Sequence, residues 1–288
     1  MKWNLFNSSI GVALGGGAAR GIAHIGVLQA FEEDGVNISY ISGTSIGALV
    51  ASYYAFGKSI EEIKAVGKEL NFTSVIGLSL QKKGLFSTRS MEKMIIKDLG
   101  EVNIEDANIP LAICATDIST GEQVVLRQGG LAKAVCASTA VPGIFVPVEV
   151  GGRTLVDGGI SENVPISLLD EMGAGFTIGI NLNGHQEYSP PKDIISIMSN
   201  AIDIAIDLRT RDQLKTADFA LSLNLKRYSR MDNSDQFDDL YNEGYHNAQK
   251  QFRKLFWYRK MRIVLYLKKL LLAIAPIKIP NALAWWRS

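Results

Sequence analysis

The chain has 288 residues, of which 47% are hydrophobic and 20% charged, and its formal net charge is +1. This composition fits a globular protein with a sizeable core, in one large domain or two small ones. Near-neutrality offers no global field for nucleic acid, so no nucleic-acid partner is expected. The balance is uneven along the chain. Residues 252–288 hold nine Lys and Arg and no acid, leaving 21 basic and 29 acidic residues elsewhere. An acidic body with a basic, apolar tail points to an anionic surface as partner of the tail. Cys114 and Cys136 lie in apolar surroundings, and no Cys/His spacing matches a metal site. They read as buried reduced thiols, with neither metal nor cofactor expected. The opening "MKWNLFNSSIGVALGGG" lacks the apolar run of a signal peptide. No apolar run is long enough to span a bilayer, so the body is expected in the cytoplasm.

In chain order, Ile10–Leu14 is a short apolar run ending in glycines and predicts a buried strand. A helix follows to about Asp34, then a strand over Ile38–Ser42 and a helix from Ile46 to Phe56. Helical patterns recur near 59–70 and 88–98. Pro110–Thr116 and Gln123–Leu126 read as strands, and 131–138 as a helix. Phe145–Val150 and Arg153–Val156 predict a hairpin around Gly151-Gly152. A short helix at Pro165–Met172, a strand at Phe176–Ile180, a long helix over 192–216 and a strand over 219–223 complete the series. From 237 to 255 apolar residues recur at helical spacing, with Gly244 on the same side, which predicts a face packed on the core. Strands alternating with helices predict an α/β fold, a three-layer α/β/α sandwich around a mostly parallel sheet. The polar stretches 183–191 and 227–236 are the candidate mobile segments.

Three motifs carry chemistry. In "ISYISGTSIGALVASYYAF", Ser45 stands between Gly43 and Gly47, after a strand and before a helix. A nucleophilic serine on a sharp strand-to-helix turn needs glycine two residues to either side, because side chains there would clash. The helix N-terminus favours negative charge developing beside the serine. The same pentapeptide also suits an ordinary tight turn with a capping serine. In "VALGGGAARGIAHIGVL", Gly15-Gly16-Gly17 joins a strand to a helix and exposes backbone N–H groups that bind anions. There is no Gly-Lys-Ser/Thr, and Arg20 stands where a dinucleotide fold needs its third glycine, which leaves an oxyanion hole beside Ser45 as the other reading. In "GGRTLVDGGISENVPI", Asp157 ends an apolar strand and is either a turn residue or a general base. His185 and His246 lack a strand-end context, and His24 reads as packed, which disfavours a histidine base. A carboxylate hydrogen-bonded to the serine can take its proton directly.

These residues resemble the patatin-like phospholipases. The resemblance is carried by Gly15-Gly16-Gly17-Ala18-Ala19-Arg20-Gly21, Gly43-Thr44-Ser45-Ile46-Gly47 and Asp157-Gly158-Gly159, in family order over about residues 10–180, with "ASTAVPGIFVPV" and "DGGISENVPI" in support. It implies a Ser-Asp dyad hydrolase of (phospho)lipid acyl esters acting through an acyl-enzyme. Ser45 would be the nucleophile and Asp157 the base, with the N–H groups of Gly16, Gly17 and Ala18 as oxyanion hole. Ala18 stands where the family often has glycine, and a positive φ there would cost it energy. Arg20 would hold the loop or meet a lipid phosphate. The alternatives are an acyltransferase using the same serine and a catalytically weak lipid- or partner-binding protein. Residues 1–251 are expected to form the catalytic domain. Residues 252–288 are expected to rest on the inner face of the membrane or to contact a second copy of the chain, as in a homodimer.

Overall fold

The computed structural model describes residues 9–70, 78–81, 84–184, 188, 190–191, 194–229 and 235–252. The chain divides into two units, 1–248 and 249–288. The basic tail beyond Phe252 lies outside the described residues, as do 185–187 and 189 of the stretch expected to be mobile at 183–191 and 230–234 of the one at 227–236.

The predicted alternation is present. Strand β1 (Ile10–Leu14) leads to helix α1 (Ile22–Glu33), and β2 (Ile38–Thr44) leads to α2 (Ile46–Ala55) and α3 (Ile60–Glu69). A small antiparallel hairpin, β3 (Leu78–Gln81) and β4 (Gly84–Phe86), precedes α4 (Arg89–Leu99). Then come β5 (Leu111–Asp117), β6 (Gln123–Leu126), α5 (Leu131–Ser138), and the hairpin β7 (Val148–Val150) and β8 (Arg153–Asp157). The series ends with α6 (Gly159–Glu162), α7 (Ile166–Met172), β9 (Phe176–Asn181), α8 (Ile194–Gln213), β10 (Phe219–Ser222) and α9 over residues 237–252.

The main sheet runs β10-β9-β1-β2-β5-β8-β7, with β6 also on β5. Its first five strands are parallel. β6, β7 and β8 join it antiparallel to their neighbours. Every residue of β5 and β9 is buried, as expected of strands covered on both faces. Along β1 the faces alternate: Ala13 packs with Val164, Ile166 and Leu169 around α7, and the intervening residues turn to the opposite layer. The strand order reverses beside β1, so the loop after it opens into the crevice such sheets present at their carboxyl ends.

One detail of register positions the site. Cys114 of β5 pairs with Thr44 on one side and Val125 on the other, and Ala115 pairs with Asp157 and Val124. β6 therefore occupies one edge of β5 throughout. β2 and β8 share the opposite edge, running toward each other and ending at adjacent residues of β5.

The apolar face predicted for 237–255 exists in α9, with Leu240 and Ala248 fully buried. α9 crosses α1 with almost no space between backbones. A Cβ on Gly26 would lie 2.1 Å from Tyr241 O, and one on Gly244 would lie 1.9 Å from Ala23 O. Gly26→Ala must push the two helices apart. It is expected to lower the unfolding free energy by about 1–3 kcal/mol, measured by urea denaturation.

Candidate active site

The Gly43–Gly47 stretch folds as a sharp turn. Ser45 has φ 55° and ψ −126° and stands immediately before α2. It is half-buried, and its carbonyl accepts the N–H groups of Ala48 at 2.9 Å and Leu49 at 3.3 Å. The flanking glycines are required by contact. A Cβ on Gly43 would stand 2.5 Å from Gly47 O, and a Cβ on Gly47 would stand 2.1 Å from Leu14 O. Ser45 and Ala18 are the only two non-glycine residues with positive φ among those described. An L-residue in this region bears strain of order 1–3 kcal/mol, which a fold tolerates where the surroundings over-determine it.

Because β2 and β8 meet head-on along β5, the turn at Ser45 and the end of β8 at Asp157 are brought together. Ser138, at the end of α5, pins the junction. Its hydroxyl accepts the Ser45 N–H at 2.8 Å and donates to Cys114 O at 2.6 Å, while its carbonyl accepts the Gly158 N–H at 3.4 Å. Asp157 is 6% exposed. Its Oδ1 accepts the Gly159 N–H at 2.7 Å, and its own N–H donates to Ala140 O at 2.9 Å. Two hydroxyls of β2 hold the segment that follows: Thr44 Oγ1 donates to Glu162 O at 2.8 Å and Ser42 Oγ to Pro165 O at 2.7 Å. Glu162 is buried and accepts from Gln123 Nε2, Ser167 Oγ and the Ser167 N–H, which fixes the start of α7.

The glycine loop lies against the turn, since a Cβ on Gly16 would stand 3.3 Å from Ser45 Cβ and 2.7 Å from Asn163 Oδ1. Its backbone groups divide into two sets. Gly15 N–H donates to Ile180 O at 3.0 Å, and Gly16 N–H is shared between Asn163 O and Oδ1, both at 3.2 Å. The N–H groups of Gly17 and Ala18 have no acceptor among the described residues. The Gly16 N–H, expected in the anion-facing set, is thus engaged inside the protein. Ala18 takes the positive φ, 50°, that its position was expected to require. Arg20 is 8% exposed. Its Nε and Nη2 donate to Tyr228 O at 3.2 and 2.9 Å and its Nη1 to Asn183 Oδ1 at 3.1 Å, so the guanidinium ties the loop to the segment after β10.

His24 is fully buried, and its Nε2–H donates to Gly15 O at 2.8 Å. Loss of solvation lowers its pKa to about 4, only partly offset by that hydrogen bond, so the ring is neutral. His246 lies on α9 edge-on to Tyr245, and His185 lies outside the described residues. Among the described residues no group of three or more His, Cys, Asp or Glu is placed to hold a metal ion. Both cysteines are buried, and burial pushes the Cys114 thiol up to about 11 and the Cys136 thiol up to about 12. A small apolar crevice of about 20 Å³ lies beside the turn, with Ala19, Ile46, Leu49, Val50, Tyr53 and Leu70 in its lining.

A serine with positive φ at a strand–helix turn, a carboxylate at a facing strand end and a loop whose Gly17 and Ala18 N–H groups lack an acceptor among the described residues form a candidate serine-centred site on an α/β scaffold. Residues 12–170 match the family described as Patatin-like phospholipase, and the chain belongs to that family. It is 37% identical over 187 residues to an uncharacterized NTE family protein of Mycobacterium bovis, covering 64% of this chain and 51% of that protein. It is 32% identical over 194 residues to neuropathy target esterase sws of Drosophila melanogaster, covering 65% of this chain and 14% of that protein. The chain thus spans about half the length of the first of these relatives and 14% of the second. Among solved structures, VipD from Legionella pneumophila superposes with a TM-score of 0.59 at 17% identity, over 84% of this chain and 66% of that one. ExoU of Pseudomonas aeruginosa, solved with SpcU, gives 0.53 at 14%, over 86% and 52%. These two likenesses concern the fold.

The state of His24 has a consequence for acid stability. Its folded pKa of about 4 lies below the unfolded value near 6.5, so the unfolded chain takes up the proton first as pH falls. The contribution is complete above pH 6.5 and is lost between pH 6.5 and 4, by roughly 3 kcal/mol in total. His24→Gln is expected to flatten this part of the stability–pH curve, measured by denaturant unfolding at stepped pH.

Proposed function

We propose that the protein is a serine hydrolase of lipid acyl esters, with Ser45 as nucleophile and Asp157 as its base. The observation that carries this reading is the meeting of β2 and β8 on one edge of β5, which brings the strained Ser45 turn and the buried Asp157 end to one point. As Ser45 Oγ attacks the ester carbonyl, its proton passes to the Asp157 carboxylate. The tetrahedral oxyanion is received by the N–H groups of Gly17 and Ala18, fixed before the reaction and thus stabilising without reorganisation. Collapse expels the alcohol, which takes the proton from Asp157, and leaves an acyl-Ser45 ester. Water, deprotonated by Asp157, attacks that ester, and collapse releases the fatty acid as Asp157 returns the proton to Ser45 Oγ.

A lipid substrate is supported by the family. Relatives include a protein named lysophospholipase NTE1 in Mycosarcoma maydis, 31% identical over 194 residues. Contact with a lipid surface is supported by the basic, apolar composition of 252–288 and by exposed Ile194, Ile197, Met198, Ile204 and Leu208 on α8. No helix among the described residues is long and apolar enough to cross a membrane.

Ser45→Ala is expected to abolish fluorophosphonate labelling and to reduce turnover of p-nitrophenyl butyrate by at least about 10³-fold with an unchanged circular dichroism spectrum. Asp157→Asn, which keeps the shape but cannot take the proton, should be nearly as damaging. Retained turnover in either variant overturns the corresponding role. Deleting residues 259–288 is expected to reduce flotation with vesicles rich in acidic phospholipid, and to slow hydrolysis of vesicle lipid far more than hydrolysis of the soluble ester. Equal flotation of both forms would remove the membrane role of the tail, and an altered mass in solution would make it a subunit contact.

A further inference from the structure

We infer that His24 and Asn163 are positioning residues which clamp the two ends of a single peptide group, Gly15–Gly16, and so aim the N–H groups of Gly17 and Ala18 at the substrate. The inference rests on the hydrolase reading above.

The carbonyl of this peptide is Gly15 O, which accepts His24 Nε2–H at 2.8 Å. Its N–H belongs to Gly16 and donates to Asn163 Oδ1 and Asn163 O, both at 3.2 Å. Each end of one peptide plane is thus bonded to a different buried residue, one from α1 and one from the segment after Asp157. A peptide between two glycines is the kind most able to turn over, because neither residue has a Cβ to resist the change in φ and ψ. Rotation here would break all these hydrogen bonds and set the Gly15 carbonyl against the two oxygens of Asn163. The Gly16–Gly17 and Gly17–Ala18 peptides follow directly, so their orientation depends on the plane before them.

The chemistry of the two side chains fits this role better than packing alone. His24 is fully buried and Asn163 is 3% exposed. His24 Nδ1 and Asn163 Nδ2 are both buried without a hydrogen-bond partner among the described residues. A buried polar atom left without a partner destabilises a fold, and an apolar side chain of similar volume would avoid that cost at either position. What the apolar residue would not supply is the bond to the Gly15–Gly16 peptide. The clamp also lies beside the reacting groups, on the far side of Gly16 and Gly159 from them. The position of a Gly16 Cβ lies 2.7 Å from Asn163 Oδ1 and 3.3 Å from Ser45 Cβ, and that of a Gly159 Cβ lies 3.1 Å from Asp157 Oδ1 and 3.4 Å from Asn163 Oδ1. Asn163 is held in turn by Gln213 of α8, whose Oε1 accepts its N–H at 3.2 Å.

The test uses the full chain with His24→Phe, Asn163→Leu, the double variant and His24→Gln, whose amide N–H can reach the same carbonyl. The readouts are kcat and KM on p-nitrophenyl butyrate, the rate of fluorophosphonate labelling at Ser45, and circular dichroism. Misaimed oxyanion donors lower kcat, so each apolar variant is expected to lose about 10–100-fold in kcat with KM within about threefold, and to label more slowly in parallel. Two residues acting on one peptide are not independent, so the double variant should be no more than about threefold worse than the worse single one. His24→Gln should recover part of the kcat lost in His24→Phe. Losses that multiply in the double variant, losses confined to KM, or folded variants with unchanged kcat each overturn the clamp. Should the apolar variants fail to fold, His24→Asn, whose shorter amide cannot reach Gly15 O, decides: lowered kcat at unchanged KM, restored in part by His24→Gln, supports the clamp, and unchanged kcat in His24→Asn overturns it. A wild-type chain that takes no label at Ser45 overturns the hydrolase reading instead. A labelled wild type with equally labelled variants overturns only the clamp.

Discussion

The arrangement depends on one constraint: a single edge of β5 is divided between two strands that approach from opposite ends. β2 arrives parallel and stops opposite Cys114, and β8 arrives antiparallel and stops opposite Ala115. Neither can continue without displacing the other, so both chains must leave the sheet there. That requirement creates the Ser45 turn and the Asp157-Gly158-Gly159 turn at the same place. The hydrogen bonds of Ser138 to Ser45, Cys114 and Gly158 close the junction, since without them a buried N–H and a carbonyl would lose their partners. Thr44 and Ser42 then fasten the outgoing segment to the strand it has just met.

Rigidity at this junction explains why strain is confined to it. Ala18 and Ser45, the described non-glycine residues with positive φ, stand on the loop after β1 and on the turn after β2, and Gly16 of that loop lies against Ser45. Each is held by neighbours that leave it no room to relax: the Ser45 turn presses on the Leu14 backbone, and the loop presses on Leu182, Asn163 and Ser45. Backbone amides held this way have a fixed direction before any ligand arrives, which is the condition for electrostatic stabilisation of a developing charge. Arg20, bonded to Tyr228 O and Asn183, extends the same fixation to the far side of the loop.

Much of this was legible in the sequence because its causes are local. The glycine at 43 is dictated by a clash within a few residues, that at 47 meets the Leu14 backbone but belongs to the same local Gly-x-Ser-x-Gly pattern, and the helical spacing of α9 follows from burial of one face. What could not be read depends on partners far along the chain. Ser138 meets Ser45 across 93 positions and Asn163 meets Gly16 across 147, and although both lie in the two supporting motifs, nothing local assigns them these partners. The available signals were a Ser-Thr pair ending an otherwise apolar helix and a polar Asn set between Glu162 and Val164-Pro165. His24 reads as packed, and it is, but its bond to Gly15 depends on the loop's conformation. Element limits moved for tertiary reasons. β2 runs on to Thr44 because β5 pairs with it, and β7 starts at Val148 because Pro147 has no N–H to donate. The four-residue α6 and the 78–86 hairpin are too short for a periodic signal.

The thiol of Cys114 lies directly behind this junction, on the strand whose edge is divided, and it is fully buried and protonated at neutral pH. A thiol in that state is closed to alkylating reagents and to oxidants, because both need the exposed thiolate. It becomes reactive only when β5 loses its cover. That cover is the segment following Asp157: the sulfur packs against Leu168 and lies 3.7 Å from Ser161 Oγ and 3.8 Å from Gly158 O. Cys114 is therefore a native clock for the lifting of this segment off β5, and a group added to the sulfur would keep the segment from closing again.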